Sequence, residues 1–161
     1  MSPCKLRLKS LLAACSLLFL TALGGTVATA AGPSGITCPS GTKPTGGWPL
    51  VFIWNGNCFK AVGTGGLAAD VQNELISQRL ACAAQISHSN LVYAADIDTM
   101  IRMKVVPLIK NNTAYVNVQK IGAAGFSAGG TVATYFGTKW AQGIDPTNGT
   151  NNGFHVGGVG T

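Results

Sequence analysis

Ser127 lies in Gly125-Phe126-Ser127-Ala128-Gly129, a G-x-S-x-G pattern. A serine hydroxyl is a poor nucleophile until a base takes its proton, so the chemistry in question is acyl transfer through an activated serine. The bare pattern says little in a chain with 22 glycines, where a glycine-rich structural turn would produce it too. Its flanks say more. An apolar run, Lys120 to Phe126, precedes it, and a helix-spaced run, Ala128 to Trp140, follows it. A strand, a sharp turn and a helix in that order would hold the serine at the tip of a strained turn, above the carboxyl edge of a sheet. The glycines two before and two after it leave room where side chains would strike the neighbouring strand and helix. The Ala128 backbone N–H, at the start of the helix, would then face a developing oxyanion.

An activated serine needs a base and an acid. Two candidates follow it, Asp145 and His155. His155 falls at the start of the predicted last strand, near the amino edge of the sheet, whereas Ser127 stands at the carboxyl edge. A strand of five or six residues separates those edges by roughly 17–20 Å, and proton transfer requires about 3 Å. Asp145, just before Pro146, reads as a turn leaving a helix. His88 follows a predicted strand and so stands at the carboxyl edge, but between Ser87 and Ser89 it reads as a solvated loop histidine. Asp96 and Asp98 open a predicted helix, where the helix dipole is reason enough for carboxylates.

The elements that must position Ser127 follow from periodicity. Ala31 to Gly47 is rich in Gly, Pro, Ser and Thr and reads as irregular, with room for a short edge strand. Pro49 to Trp54 is apolar on both faces, as a buried strand of a parallel sheet must be. Leu67 to Leu80 carries apolar residues at helical spacing, and Ala81 to Ile86 reads as a short strand. Ala94 to Ile109 reads as a helix that finishes or kinks at Pro107. Lys120 to Phe126 is a short strand, Ala128 to Trp140 a helix, Gly143 to Gly153 a polar loop, and Phe154 to Val159 a glycine-weakened strand. Strands and helices alternate at a spacing that predicts right-handed β-α-β units and a three-layer α/β/α sandwich around a mostly parallel sheet.

The chain has 161 residues, the length of roughly one domain. Lys5, Arg7 and Lys9 precede an apolar stretch from Leu11 to Leu23, and Ala28-Thr29-Ala30 supplies small residues for cleavage. Residues 1–30 therefore read as a secretory signal peptide, which predicts export to a secreted or periplasmic location. An uncleaved membrane anchor is the rival reading, and this leader is the only membrane connection expected. Without the leader the net charge falls from +6 to +3 with no Lys/Arg cluster, so no nucleic-acid footprint is present. Cys38, Cys58 and Cys82 remain; one disulfide is expected, with a thiol left over and the pairing open. No metal cluster, dinucleotide motif or phosphate loop occurs, and no cofactor is assigned.

Asn117-Val118-Gln119-Lys120-Ile121-Gly122-Ala123-Ala124-Gly125-Phe126-Ser127-Ala128-Gly129-Gly130 resembles the strand-and-elbow block of α/β-hydrolases, closest to esterase, dienelactone-hydrolase and polyester-depolymerase-like branches. Pro49 to Asn57 is similar to the family's third strand and oxyanion loop, with Asn55-Gly56 where these enzymes usually carry His-Gly. Ala94 to Arg102 is similar to the helix before the nucleophile strand. The resemblance implies a carboxylic-ester hydrolase acting on small-molecule or polymeric esters, with Ser127 as nucleophile and the Ala128 and Asn57 N–H groups as the oxyanion hole. It also implies an acid and then a histidine on later strands. On that reading residues 31–161 form the amino-terminal part of an incomplete hydrolase domain, and the chain as it stands is expected to be a very poor catalyst. A serine peptidase or acyltransferase of the same fold, and a secreted non-catalytic binding protein that kept the fold, remain open.

Overall fold

The computed structural model describes residues 33–56, 66–88 and 93–161. Strand β1 (Trp48–Trp54) is the middle of the architecture: Leu50, Phe52, Ile53 and Trp54 are fully buried. Helix α1 (Leu67–Ser77) leads to β2 (Cys82–Ile86), which pairs with one side of β1 in the register Leu50–Cys82 to Trp54–Ile86. The chain then crosses back through α2 (Ala94–Met100), a π-helical turn (Ile101–Val105) and α3 (Val106–Asn111) to β3 (Val116–Gly125), on the other side of β1. Helix α4 (Ala128–Lys139) follows, then β4 (Val156–Gly160). The sheet is all parallel, in the order β2-β1-β3-β4.

Right-handed crossovers fix which face each helix covers. The step from β1 to β2 runs one way along the sheet, and the steps from β2 to β3 and β3 to β4 run the other. Accordingly α1 covers the Ile53 and Ala83 face, with Val71, Leu75 and Ile76 against it. Helices α2, α3 and α4 cover the opposite face, where Phe52, Trp54, Phe136 and Phe154 form an aromatic cluster with ring centroids 5.7–6.2 Å apart. The direction of winding reverses between β1 and β3. The crevice at their carboxyl ends is where such sheets bind ligands.

Three expectations change in detail. Helix α1 stops at Ser77, closed by Arg79 at φ 55°, so Leu80 lies outside it and is exposed; Ala68 and Ala69 are its buried residues. The helix leading to Pro107 neither ends nor breaks there. The Val106 N–H reaches the Ile101 carbonyl five residues back, and this wider turn absorbs the hydrogen bond and the space that proline denies. Strand β3 begins four residues earlier than expected, because Val116-Asn117-Val118 alternates apolar and polar, as a half-buried strand does.

The segment before β1 is tied down at three points. Thr37 exchanges two backbone hydrogen bonds with Ala83, capping the outer edge of β2 as a single antiparallel bridge. Cys38 and Cys82 form a disulfide across a sequence separation of 44, a loop length whose closure is worth about 4 kcal/mol in the chain-entropy account. The third cysteine, Cys58, lies outside the described residues. The third tie is Asn112, fully buried at the end of α3, which accepts from the Ser34 N–H at 2.9 Å and donates to the Ser34 and Leu108 carbonyls at 2.8 Å. Asn112→Ala is expected to lower the stability of the protein by about 1–2 kcal/mol in urea unfolding, since it removes three part-buried hydrogen bonds to the backbone. Asn112→Asp should cost more, because a carboxylate oxygen would then face two carbonyls.

Candidate functional site

Ser127 stands two residues past the end of β3, at φ 54° and ψ −122°, and caps α4. This is a conformation that side chains with a Cβ adopt at a cost of about 1–3 kcal/mol. The surroundings hold it there. The Phe126 N–H bonds the Trp54 carbonyl on β1, and the Gly129 and Gly130 N–H groups bond the Phe126 and Ser127 carbonyls. A Cβ on Gly125 would stand 2.8 Å from the Gly130 nitrogen, and one on Gly129 2.5 Å from the Asn55 carbonyl oxygen. The glycines around the serine thus let α4 lie directly on β3 and β1, and the side chain of Ser127 remains exposed. It opens on a cleft of about 510 Å³ walled by Thr131, Thr134, Tyr135 and Thr138 of α4. The Ala128 N–H, first of the helix, has no backbone acceptor among the described residues. It stands where the positive end of the helix would meet negative charge.

The turn that leaves β1 reaches the same place. The position of a Cβ on Gly56 is 3.3 Å from the Ser127 Cβ and 3.9 Å from its Oγ. Asn57, the expected second oxyanion donor, lies outside the described residues.

The other sequence candidates separate. His155 is at the amino edge: its N–H bonds the Val118 carbonyl, its carbonyl receives the Ile121 N–H, and the pairing of β3 with β4 starts at the next residue. Asp145 follows the far end of α4, a helix whose 12 residues span about 18 Å. It is buried and fully occupied, accepting from the Thr147 N–H and hydroxyl and from Arg102 at 3.2 Å. Neither residue is brought to Ser127.

Burial acts to raise the Asp145 carboxyl, but the Thr147 hydroxyl and N–H, the Arg102 guanidinium and the Asn148 N–H outweigh it and hold it below the usual value. With the folded value under the unfolded one, ionised Asp145 stabilises the fold at neutral pH. That contribution disappears as pH falls through the lowered folded value, below about pH 4. Asp145→Asn should therefore flatten the acid side of a plot of urea midpoint against pH.

Two expectations are corrected. His88 is not solvated: it is buried, with 6% of its surface exposed, and its Nε2 donates to the Asn55 carbonyl oxygen. Asp98 is not simply a dipole residue. It too is buried, and it accepts from the Trp140 indole at 2.8 Å and the Tyr135 hydroxyl at 3.1 Å, joining α2 to α4. Burial, together with that bond to Asp98, pushes the Tyr135 phenol above its ordinary value. The signal for Asp98 was present: it lies three and seven residues before Ile101 and Val105, on the apolar stripe of its helix. Asp96 is exposed and keeps the dipole explanation.

Among the described residues no group of three or more His, Cys, Asp or Glu gathers where it could hold a metal ion, and no helix is long and apolar enough to cross a membrane. The fold and site define an α/β protein with a four-stranded parallel sheet and an exposed, strained serine at the switch of winding. No model of a known protein family matches the chain, and no curated protein matches it.

Proposed function

We propose that the chain carries the nucleophile of an exported serine hydrolase of the α/β-hydrolase type that acts on carboxylic esters. The observation that carries this reading is the backbone of Ser127. A non-glycine residue is held at φ 54° by packed glycines on both sides, and such strain gathers at reactive positions. Ser127 Oγ would attack the ester carbonyl carbon, and the Ala128 N–H, with that of Asn57 as the resemblance assigns it, would hold the oxyanion. The alcohol would leave with a proton, and water would then release the acyl group from the serine. The acid and base of such a triad are not assigned to Asp145 or His155. The Cys38–Cys82 disulfide suits an oxidising compartment and supports the export reading.

The test is a fluorophosphonate probe applied to the protein as produced by its natural gene, followed by mass mapping. An adduct on the peptide that contains Ser127 is the expected result. Absence of any adduct would overturn the hydrolase reading and leave a non-catalytic binding protein of the same fold.

A further inference from the structure

Because the sheet runs β2-β1-β3, the chain leaving β1 passes between the segments that follow β2 and β3. Two residues past the end of β2 is His88, and two past the end of β3 is Ser127. His88 is buried, and its Nε2 meets the Asn55 carbonyl oxygen. A carbonyl can only accept, so Nε2 carries the proton and donates it. The same oxygen is packed against α4, where it leaves no room for a Cβ on Gly129. The next residue, Gly56, lies against the Ser127 side chain. One peptide unit therefore connects a buried imidazole to the candidate nucleophile.

We propose that His88 is a positioning residue for the Asn55–Gly56 turn, setting the orientation of the backbone that faces Ser127. The inference rests on the hydrolase reading of Ser127 and deepens it. A peptide unit is planar, so fixing the Asn55 carbonyl fixes the direction of the Gly56 N–H bonded to the same carbon. Trp54 is the last residue of β1 paired to β2 and β3, and the Asn55 carbonyl beyond it has no ladder partner among the described residues. A buried side-chain donor supplies the bond and the rigidity that the ladder supplies elsewhere. An oxyanion donor acts only if it is already in place when charge develops, so a loosened turn costs rate at the chemical step and leaves ground-state binding almost unchanged.

The test uses the protein as produced by its natural gene and two variants. His88→Phe keeps a ring of similar size and loses the donor; His88→Gln keeps an N–H at comparable reach. The readouts are the fluorophosphonate labelling rate at Ser127 and kcat and KM measured separately on a nitrophenyl ester. Losing or misplacing one such contact typically costs on the order of 10- to 100-fold. His88→Phe is expected to lower the labelling rate and kcat by that factor with KM changed less than about 2-fold, and His88→Gln to recover most of the loss. Equal rates for His88→Phe and wild type would overturn the proposal, as would equal losses in both variants. Should His88→Phe fail to fold, the wild type decides by NMR: a coupling across the hydrogen bond from the His88 Nε2–H to the Asn55 carbonyl carbon supports it, and its absence overturns it. A wild type that labels while the histidine proves indifferent removes this inference alone; a wild type that never labels removes the hydrolase reading as well.

Discussion

In the protein as produced by its natural gene, Ser127→Ala is expected to eliminate fluorophosphonate labelling and to lower ester turnover by up to on the order of 10⁶-fold, the cost of removing the nucleophile from a complete serine-hydrolase triad. Stability gives the same experiment a second reading. Alanine inherits the strained backbone at φ 54° and ψ −122°, so Ser127→Ala should unfold within about 0.5 kcal/mol of the wild type, as surface substitutions do. Ser127→Gly is different. Those angles are the ones a glycine occupies at the first central position of a type II′ turn, so the strain of about 1–3 kcal/mol is released. Against it stands the extra freedom of glycine in the unfolded chain, about 0.5–1 kcal/mol. A net gain of about 1 kcal/mol with total loss of labelling would mark Ser127 as a residue kept for reactivity. Labelling that survives in Ser127→Ala would place the reactive group elsewhere and sink the assignment.

The sequence carried the layout of the fold because the signals involved are local. The doubly apolar run of β1, the helical spacing of α4 and the short links between them predict β-α-β units, and the handedness of those units assigns the helices to their faces. The elbow was legible for the same reason, with the strand before Ser127, the helix after it and the glycines between all within 25 residues. The contacts that complete the site span longer separations. His88 meets Asn55 across 33 residues, and Asp98 meets Trp140 across 42. Neither partner is marked by a period or a motif, and a histidine in a Ser-rich loop looks the same whether it is solvated or buried. Asp98 was the more readable of the two. A carboxylate on the apolar stripe of a helix must find donors in the core or destabilise it, and the indole of Trp140 and the phenol of Tyr135 are such donors.

The second large effect concerns the glycine two residues past Ser127. A Cβ at Gly129 would stand 2.5 Å from the Asn55 oxygen and 2.7 Å from the Trp54 carbonyl carbon. Both are backbone atoms at the carboxyl end of β1: the Trp54 carbonyl takes the Phe126 N–H and the Asn55 oxygen takes the His88 Nε2–H, over a fully buried core, so neither yields easily. Helix α4 would have to lift from the sheet, opening the packing of Phe136 on Trp54, whose rings now lie 5.7 Å apart. Gly129→Ala should therefore lose about 4 kcal/mol or more, beyond the usual cost of overpacking because backbone meets backbone. Gly130→Ala is the control one residue on. Its Cβ would meet the Gly125 oxygen at 3.3 Å and the Thr161 Cβ at 3.6 Å. The better helix propensity of alanine, about 1 kcal/mol, offsets that mild crowding. Urea unfolding of the two variants should differ by at least about 3 kcal/mol. Near-equal midpoints would mean that α4 is not held on β1 at the elbow, and the strain at Ser127 would lose the packing that sustains it.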